Sequence, residues 1–449
     1  MNDNQHPGSG ESRWPARPGS AGTATATREV PHSAGDRAAR VARITMALLF
    51  FAWLIDYIDR LVITLALPSI GKEFALNKAE QGLILTVFFI TYALFQLPGG
   101  LLADRIGARK TMTLALTAWS VFTGLTGLAF SYAWLLVIRV VFGISEGIFP
   151  GASMKAVSER TTPRARMTGN GVMLASNPFG AALAVLIAGP ALVAVGWRNS
   201  FFLIAGLGII MSGILWWLLP RRLPVEQTTE RAAGGRSSVR IGELLSHPRF
   251  WLFALMFCGF DIVAWGLISW APSYLVETKG INVQTAGFLI SIPSFVAAAA
   301  TIAGGVVFDR FFHHEPRRLI VPAMVVTGVF LWLMMHAGTA GGFVLFESLG
   351  EAAMFLTFMP IFGLPLRLLP REVAGAASGA INFGGQAAGA ITPVVMGALA
   401  DAFSFTVAFM FLLFGVVLAI ASALVTPQTR QAFMTTMGMD SAARTPAAV

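Results

Sequence analysis

The sequence predicts an all-α membrane protein whose twelve transmembrane helices form two related six-helix bundles. Three observations predict this fold: the chain is 55% hydrophobic and only 12% charged, its apolar residues fall in long runs, and its two halves repeat one another. A soluble domain usually carries about 25% charged residues. Half that share, spread over the whole chain, indicates that most of the surface faces lipid.

The apolar runs have the length of membrane-spanning helices, which need about 20 residues. Barrel strands are excluded because they need only about 10 residues, and isolated strands cannot satisfy their backbone groups in lipid. The predicted helices lie at roughly 44–68, 80–102, 111–130, 133–155, 168–195, 199–219, 249–276, 284–308, 318–337, 340–366, 372–399 and 403–425.

The basic residues between the runs predict that both termini are cytoplasmic. Cytoplasmic loops carry an excess of Lys and Arg, and this orientation places all but six of the 32 basic residues inside. Because these residues are spread through the loops and form no single basic face, the net charge of +9 does not indicate nucleic-acid binding. The six exceptions are Lys72, Lys78, Arg198 and Lys279 on the outside and Arg60 and Arg139 within helices.

Polar segments divide the chain into five parts. Residues 1–43 are rich in Gly, Ser, Ala, Pro, Thr and Arg, which predicts a disordered cytoplasmic tail. No apolar core precedes Met46, so this tail is not a cleaved signal peptide. We expect a first bundle at 44–219, a cytoplasmic linker at 220–248, a second bundle at 249–425 and a second cytoplasmic tail at 426–449.

The two halves repeat at a constant offset of 205 residues, without gaps. An offset shared by several helices predicts two bundles related by an axis along the membrane normal, with a substrate held between them near the midplane. The matching pairs are Gly82 and Gly287, Gly99-Gly100 and Gly304-Gly305, Asp104-Arg105 and Asp309-Arg310, Arg166 and Arg371, Asn177 and Asn382, and Gly180 and Gly385.

A charged motif, Gly100-Leu-Leu-Ala-Asp104-Arg105-Ile-Gly107-Ala-Arg109-Lys, follows the second predicted helix. Gly107 permits a tight turn, and Asp104 can pair with basic groups and cap a neighbouring helix, which predicts a cytoplasmic latch between the bundles. Taken alone, the basic residues at the end of the motif are equally explained by the ordinary cytoplasmic excess. The complete pattern resembles the loop signature of the major facilitator superfamily. We therefore expect Gly100, Asp104, Arg105, Gly107 and Arg109 to form a cytoplasmic gate.

A second set of residues narrows the resemblance. The set comprises Asp59-Arg60, the segment from Tyr92 through Gln96 to Gly100, Arg139 and Glu146, and the run from Gly379 to Pro393. These residues resemble the anion–cation symporter branch of the superfamily, and the resemblance covers essentially residues 44–425. That branch contains carriers of sugar acids, aromatic carboxylates, dicarboxylates, sialic acid and sulfonates, so the resemblance implies a substrate of this kind.

Two arginines lie inside predicted helices, where each charge costs about 2.5–3.5 kcal/mol. Arg60 lies just past the centre of the first helix and Arg139 in the outer half of the fourth, which runs in the opposite direction. We therefore expect them at similar depth, where they could clamp a carboxylate or sulfonate with paired hydrogen bonds. The alternative is that each arginine pairs with an acid and only ties helices together.

Two acids accompany these arginines. Glu146 lies seven residues after Arg139, which puts it on the same helix face about 10 Å along the axis. A glutamate near mid-membrane can be neutral or charged, depending on a nearby arginine and on water. Asp59 points about 100° away from Arg60, so we expect it to reach another partner. The resemblance implies that Asp59 and Glu146 are the proton-coupling pair; static salt bridges are the alternative.

The resemblance also assigns polar residues to the substrate site. Tyr92 occupies the family's position for a substrate hydroxyl, although a lone tyrosine is equally explained by packing. Asn382 and Gln386 lie one turn apart on the eleventh predicted helix, where neutral donors could orient an anion from the second half.

Further acids occupy mirrored places in the two halves. Asp56 and Asp261 are separated by the repeat offset, as are Glu146 and Glu351, and Glu347 lies one turn before Glu351. For Asp261, Glu347 and Glu351 we favour a role in holding helices together or in wetting the outer vestibule. A second protonatable cluster remains the alternative.

The sequence as a whole predicts a monomeric, multi-pass transporter of the bacterial inner membrane that imports a small organic anion together with protons. Neither a cofactor nor a metal is expected, because the sequence contains no His/Cys metal cluster, and the absence of a nucleophile–base pair argues against an enzyme. A proton-coupled exporter of drugs or metabolites is the main alternative. A membrane sensor that binds without transport is the other.

Overall fold

The computed structural model describes residues 32–161, 166–222, 245–312, 314–368 and 371–436. The first half contains α1 (His32–Glu73), α2 (Lys78–Ile106), α3 (Ala108–Gly127), α4 (Tyr132–Arg160) and a long helical segment, Arg166–Leu218. Gly196 interrupts this last segment with a φ of 77°, which is not helical. We therefore label its two parts α5 (166–195) and α6 (197–218).

The second half follows the same plan. A short 3-10 turn, Pro248–Phe250, leads into the first of its helices, and a π-helical turn, Phe308–Phe312, follows the second. The helices are α7 (Trp251–Glu277), α8 (Val283–Val307), α9 (Arg317–Met335), α10 (Ala340–Phe355), α11 (Phe358–Leu368), α12 (Arg371–Ala402), α13 (Phe405–Val425) and α14 (Arg430–Thr436).

The helices have the length and composition of membrane spans. In the described ranges, ten helical segments are long and apolar enough to cross a membrane, and Phe179–Leu218 counts among them as one segment despite its bend. Large apolar side chains lie exposed on the outside of the bundles, for example Leu94, Val137 and Trp217. Such a surface is stable only against lipid, so the chain is a multi-pass membrane protein.

The repeat in the sequence is also present in the structure. α2 begins at Lys78 and α8 at Val283, again 205 residues apart, and the residues before them, Asn77 and Asn282, both cap their helices. In each case the Asn side chain accepts the N–H of the residue three positions later, at 2.8 Å, which satisfies one of the free donors of the first turn. The two halves therefore form pseudo-symmetric bundles, in which α10 and α11 of the second half together take the place of α4.

The two bundles meet along matching helices: α2 packs against α12, α5 against α8, and α1 against α7. Glycine makes the closest approach possible, because a Cβ on Gly397 would collide with the backbone of Lys78. The contact between α2 and α12 also includes a hydrogen bond at 2.6 Å from the Thr86 hydroxyl to the carbonyl of Ala390. We call the side where α1 ends and α2 begins the α1–α2 end, and the opposite side the α2–α3 end.

The structure differs from the predicted boundaries at three places. α1 begins at His32, inside the predicted tail 1–43, because the Ala- and Arg-rich residues before the apolar run are good helix formers. The predicted tenth helix is divided into α10 and α11, since Pro360 cannot donate a backbone hydrogen bond to Leu356. The predicted tail 426–449 contains α14, whose Phe433 is fully buried with its ring 6.0 Å from that of Phe253.

Parts of the predicted tails and linker lie outside the described residues. These parts are residues 1–31, residues 223–244 of the predicted linker 220–248, and residues 437–449.

Candidate functional site

Arg60 lies at the centre of a buried charge network on α1. Its side chain is nearly fully buried, and Nη2 lies 3.0 Å from Oδ2 of Asp56, one helical turn earlier. The guanidinium also lies over aromatic rings, 4.6 Å from the centroid of Tyr92 and 4.9 Å from that of Tyr57. These contacts hold the arginine at a fixed position and orientation between α1 and α2.

Glu146 on α4 supplies the second carboxylate of the network. Its Oε2 lies 3.0 Å from Nε and 2.8 Å from Nη2 of Arg60, so one oxygen accepts from two donors of the fork. Gly143 and Gly147, which lie before and after Glu146 in α4, allow this helix to approach α2 closely. A Cβ would fall 2.6 Å from a carbonyl oxygen of α2 at Gly143 and 2.5 Å from one at Gly147. Oε1 of Glu146 is buried without a hydrogen-bond partner in the described part of the chain.

Arg139, two turns before Glu146 on α4, has an environment unlike that of Arg60. Its Nη2 donates to the hydroxyl of Thr126 at 3.1 Å, and its guanidinium lies 4.5 Å from the ring centroid of Phe142. Among the described residues, no carboxylate lies within ion-pairing distance of Arg139 and its buried Nε has no acceptor. This arginine therefore retains unused capacity to bind an anion.

Arg60 and Arg139 line the same cavity between the bundles. The cavity is also lined by Phe88 and Phe89 of α2 and by Trp265 of α7, so both bundles contribute to it. Its volume of about 10 Å³ has room for about one water molecule. The structure is therefore closed around the two arginines.

Asp59, although adjacent to Arg60, points to α3. Its Oδ1 and Oδ2 lie 2.7 and 2.6 Å from the hydroxyl of Thr123. The side chain is fully buried, and in the described ranges no basic group lies within ion-pairing distance of it. Asp59 and the pair Arg60–Glu146 thus belong to adjacent but separate polar clusters.

The polar residues assigned to the substrate site do not all meet at the cavity. Tyr92 packs against Arg60 but is not part of the cavity lining. Asn382 donates to Gln96 Oε1 across the bundle interface at 3.3 Å, further toward the α2–α3 end. Gln386 is only partly buried, and its Oε1 lacks a partner among the described residues.

Three acids of the second bundle are also buried. Glu347 and Glu351 lie one turn apart on α10 and Asp261 lies on α7, and all three are at most 8% exposed. In the described ranges none of them has a basic partner within ion-pairing distance, and Oε2 of Glu347 lacks a hydrogen bond. Asp261 packs next to Gly385 of α12, where a Cβ would collide with its carboxylate.

The charged motif, which spans the end of α2 and the start of α3, makes its described contacts within the first bundle. Asp104 pairs with Lys155 of α4 at 2.8 Å, and Arg109 donates to the backbone carbonyl of Leu219. Gly107 adopts a φ of 91°, in the region that favours glycine, and forms the turn into α3. Gly100 is helical and close to Gly151 of α4, while Arg105 is exposed.

Several residues of the network were not singled out from the sequence. Thr123 and Thr126 each also bond to the carbonyl four residues earlier, a common local role that hides any other. The only feature of the sequence that could have identified them is that two hydroxyl groups lie about one helical turn apart within an apolar run. Asp56 was noted as a mirrored acid; its spacing of four residues from Arg60 is the pattern of a helical ion pair.

Two membrane-spanning helix bundles with buried charges and a cavity between them are the architecture of secondary transporters. The family model of the Major Facilitator Superfamily matches residues 49–393, and the chain belongs to this superfamily. Its members are transporters and not enzymes.

The chain is similar along most of its length to several bacterial transporters. It is 29% identical over 367 residues to a hexuronate transporter of Bacillus subtilis, covering 79% of this chain and 86% of that protein. It is 26% identical over 392 residues to a probable L-galactonate transporter of Escherichia coli, covering 83% and 86%. It is 29% identical over 379 residues to the probable sulfoacetate transporter SauU of Cupriavidus necator, covering 79% and 86%.

Solved structures share the fold. Crystal structures of a bacterial homolog to the human lysosomal transporter Spinster match with a TM-score of 0.72 for an inward-facing, unoccupied conformation, at 21% identity over 89% of this chain and 94% of that chain. The inward-facing, occupied conformation matches with a TM-score of 0.68, at 20% identity over 88% and 93%. At this identity the likeness concerns the fold alone.

Proposed function

We propose that the protein imports a small organic anion by proton symport across the inner membrane, as a monomer with both termini in the cytoplasm. The proposal rests mainly on the cavity between the bundles, which is lined by the guanidinium groups of both Arg60 and Arg139. One of them, Arg60, is paired with carboxylates of the protein. The other, Arg139, has no carboxylate within ion-pairing distance in the described part of the chain. A substrate carboxylate or sulfonate would take the place that Glu146 now holds.

The names of the relatives agree with this substrate class. Hexuronate and L-galactonate carry a carboxylate on a hydroxylated chain, and sulfoacetate carries a carboxylate and a sulfonate. Arginine binds both groups with two parallel hydrogen bonds. Tyr92, Gln96 and Asn382 lie between the arginines and the α2–α3 end, where hydroxyl and amide groups can bind the hydroxyls of a sugar acid.

Proton coupling follows from competition for Arg60. While Glu146 is ionised it occupies Nε and Nη2, the atoms that an incoming anion needs. A proton on Glu146 removes that competitor, so anion binding and protonation favour one another. Asp59, held by Thr123, is a second proton site at the same level of the membrane.

Alternating access requires that the two ends of the interface open in turn. The hydrogen bonds from α2 to Ala390 and Asp401 of α12 close the α1–α2 end. The charges of the loops assign this end to the outside. Binding drives the transition only if anion and proton bind one state more tightly than the other.

The decisive experiment is transport by purified protein in liposomes, with hexuronate, L-galactonate and sulfoacetate compared with a cationic and an uncharged compound. We expect uptake of one or more anions, driven by an acid exterior, and loss of that uptake in Arg60→Gln. Arg318→Gln, an exposed arginine outside the interface, is the matched control and should behave like the wild type. Transport of cationic or apolar compounds that survives Arg60→Gln would instead identify an exporter, and binding without transport a sensor.

A further inference from the structure

The first bundle contains a second recess at the α2–α3 end, separate from the cavity of Arg60 and Arg139. Its volume is about 410 Å³, within the range of about 300–1,000 Å³ that ligand sites occupy. It lies where the turn after α2 meets the ends of α4 and α6, and residues of the first bundle and the segment just after it form its lining. Its five basic lining residues are Arg109, Lys110, Arg160, Arg221 and Arg222.

These basic residues outnumber the acids that contact them. Glu159 Oε2 pairs with Arg160 Nη1 at 2.9 Å and with Arg222 Nε at 3.2 Å. Among the described residues, Lys110 and Arg221 have no carboxylate within ion-pairing distance. Like charges held this close repel one another, so an anion in the recess would be bound by several cations at once.

The other side of the recess is apolar and faces the bilayer. Trp216 and Ile106 belong to its lining and are 44% and 42% exposed, and the neighbouring Trp217 is 84% exposed. Tryptophan is enriched where membrane meets water. The recess thus combines a cationic wall with an aromatic, lipid-facing edge.

We propose that this recess binds the phosphate of an anionic phospholipid, with the acyl chains lying along Trp216 and Trp217. Guanidinium forks suit phosphate oxygens, and basic pockets beside transmembrane helices are suited to lipid headgroups. The transported anion is held elsewhere, because the cavity of Arg60 and Arg139 lies between the bundles and shares no residue with this recess.

The test compares the full chain in bilayers of phosphatidylcholine alone and of phosphatidylcholine mixed with phosphatidylglycerol. Native mass spectrometry counts the lipids that remain bound, and thermal unfolding reports the stabilisation by each mixture. We expect the wild type to retain phosphatidylglycerol in preference to phosphatidylcholine. The double change Arg221→Gln and Arg222→Gln should reduce that preference roughly 30-fold, and Lys110→Gln alone should reduce it less.

The matched control removes two neighbouring arginines at the same end of the second bundle, Arg317→Gln and Arg318→Gln. This control should keep the wild-type preference, because it changes net charge equally but leaves the recess intact. An equal loss in both double variants would overturn the proposal, since general surface charge would then explain the binding. Glycerol 3-phosphate, added to the protein in detergent, tests whether the recess binds a free phosphate ester and not a lipid. If it stabilises the protein against thermal unfolding while bilayers show no preference for phosphatidylglycerol, the lipid assignment is overturned.

Discussion

Asp401, at the end of α12, caps the first turn of α2 in the other bundle. Its Oδ1 accepts the backbone N–H of Lys78 at 2.9 Å and its Oδ2 that of Ala79 at 2.8 Å. The Lys78 side chain in turn lies 2.5 Å from Oε1 of Glu277, at the end of α7. Because the first N–H groups of a helix have no partner within it, a carboxylate from one bundle completes a helix of the other. Closure of the α1–α2 end therefore depends on charges from both bundles.

Asp401→Ala should favour opening of this end. Loss of a capping carboxylate costs about 0.5–2 kcal/mol, which corresponds to a shift of about 2-fold to 30-fold toward the open state. Spin labels at Phe130→Cys and Gly338→Cys, one in each bundle and both exposed, measure the separation in a Cys258→Ala background. In Asp401→Ala, a larger fraction of molecules should show long distances between the two spin labels.

The control for this experiment is Glu315→Ala. Its carboxylate pairs with the exposed Arg318 at the α2–α3 end, so the distance distribution at the α1–α2 end should stay as in the wild type. If Asp401→Ala also leaves it unchanged, the cap does not contribute to closure.

Arg60→Lys should show whether anion binding needs only the positive charge of Arg60 or also the two parallel hydrogen bonds of its guanidinium. Lysine keeps the positive charge but has a single nitrogen, whereas the guanidinium contacts Asp56 and Glu146 through two fixed nitrogens, Nε and Nη2. Loss of a charge-assisted hydrogen bond of about 1.5–3 kcal/mol should raise the KM for the anion by about 10-fold to 150-fold. Uptake kinetics in liposomes measure it. Arg198→Lys, a partly exposed arginine that pairs with Glu73, should leave KM unchanged; an unchanged KM in Arg60→Lys would argue against bidentate binding.

The sequence predicted the parts of this site that depend on a residue's type and its place in an apolar run. Arg60, Arg139 and Glu146 stand out because a charge inside a membrane helix needs a reason. The contact of Lys78 with Asp401, 323 residues apart, depends on how the bundles pack and has no local signal. The same holds for Asn382, whose partner Gln96 belongs to the other bundle.

Glu146→Gln should uncouple transport from protons. Glutamine fills the same space but carries no exchangeable charge, so its competition with the substrate for Arg60 no longer depends on pH. Accumulation driven by a proton gradient should be lost, while counterflow of substrate across liposomes without a gradient should persist. Equal loss of both activities would contradict a coupling role.

The repeat provides the matched change for this experiment. Glu351 occupies the position of Glu146 in the second half, is similarly buried, and in the described ranges has no basic partner. Since no described arginine pairs with Glu351, it does not compete with the substrate for one, and Glu351→Gln should retain gradient-driven accumulation. Loss of accumulation in Glu351→Gln would show that proton coupling extends to the second bundle.

Gly107→Ala should destabilise the protein and slow transport, whereas Gly100→Ala, at the other glycine of the motif at the end of α2, should not. Gly107 has a φ of 91°, and a Cβ there would lie 2.8 Å from Nη2 of Arg222. An alanine forced into that conformation costs about 1–3 kcal/mol, so the melting temperature should fall and transport should slow as the turn into α3 distorts. At Gly100 a Cβ meets no atom within 4 Å, and alanine is the better helix former, so that variant should be at least as stable as the wild type. Thermal unfolding in detergent and initial uptake rates measure both effects. If the two alanines destabilise the protein equally, the motif needs glycine for close helix packing, and the positive φ of Gly107 does not explain the destabilisation.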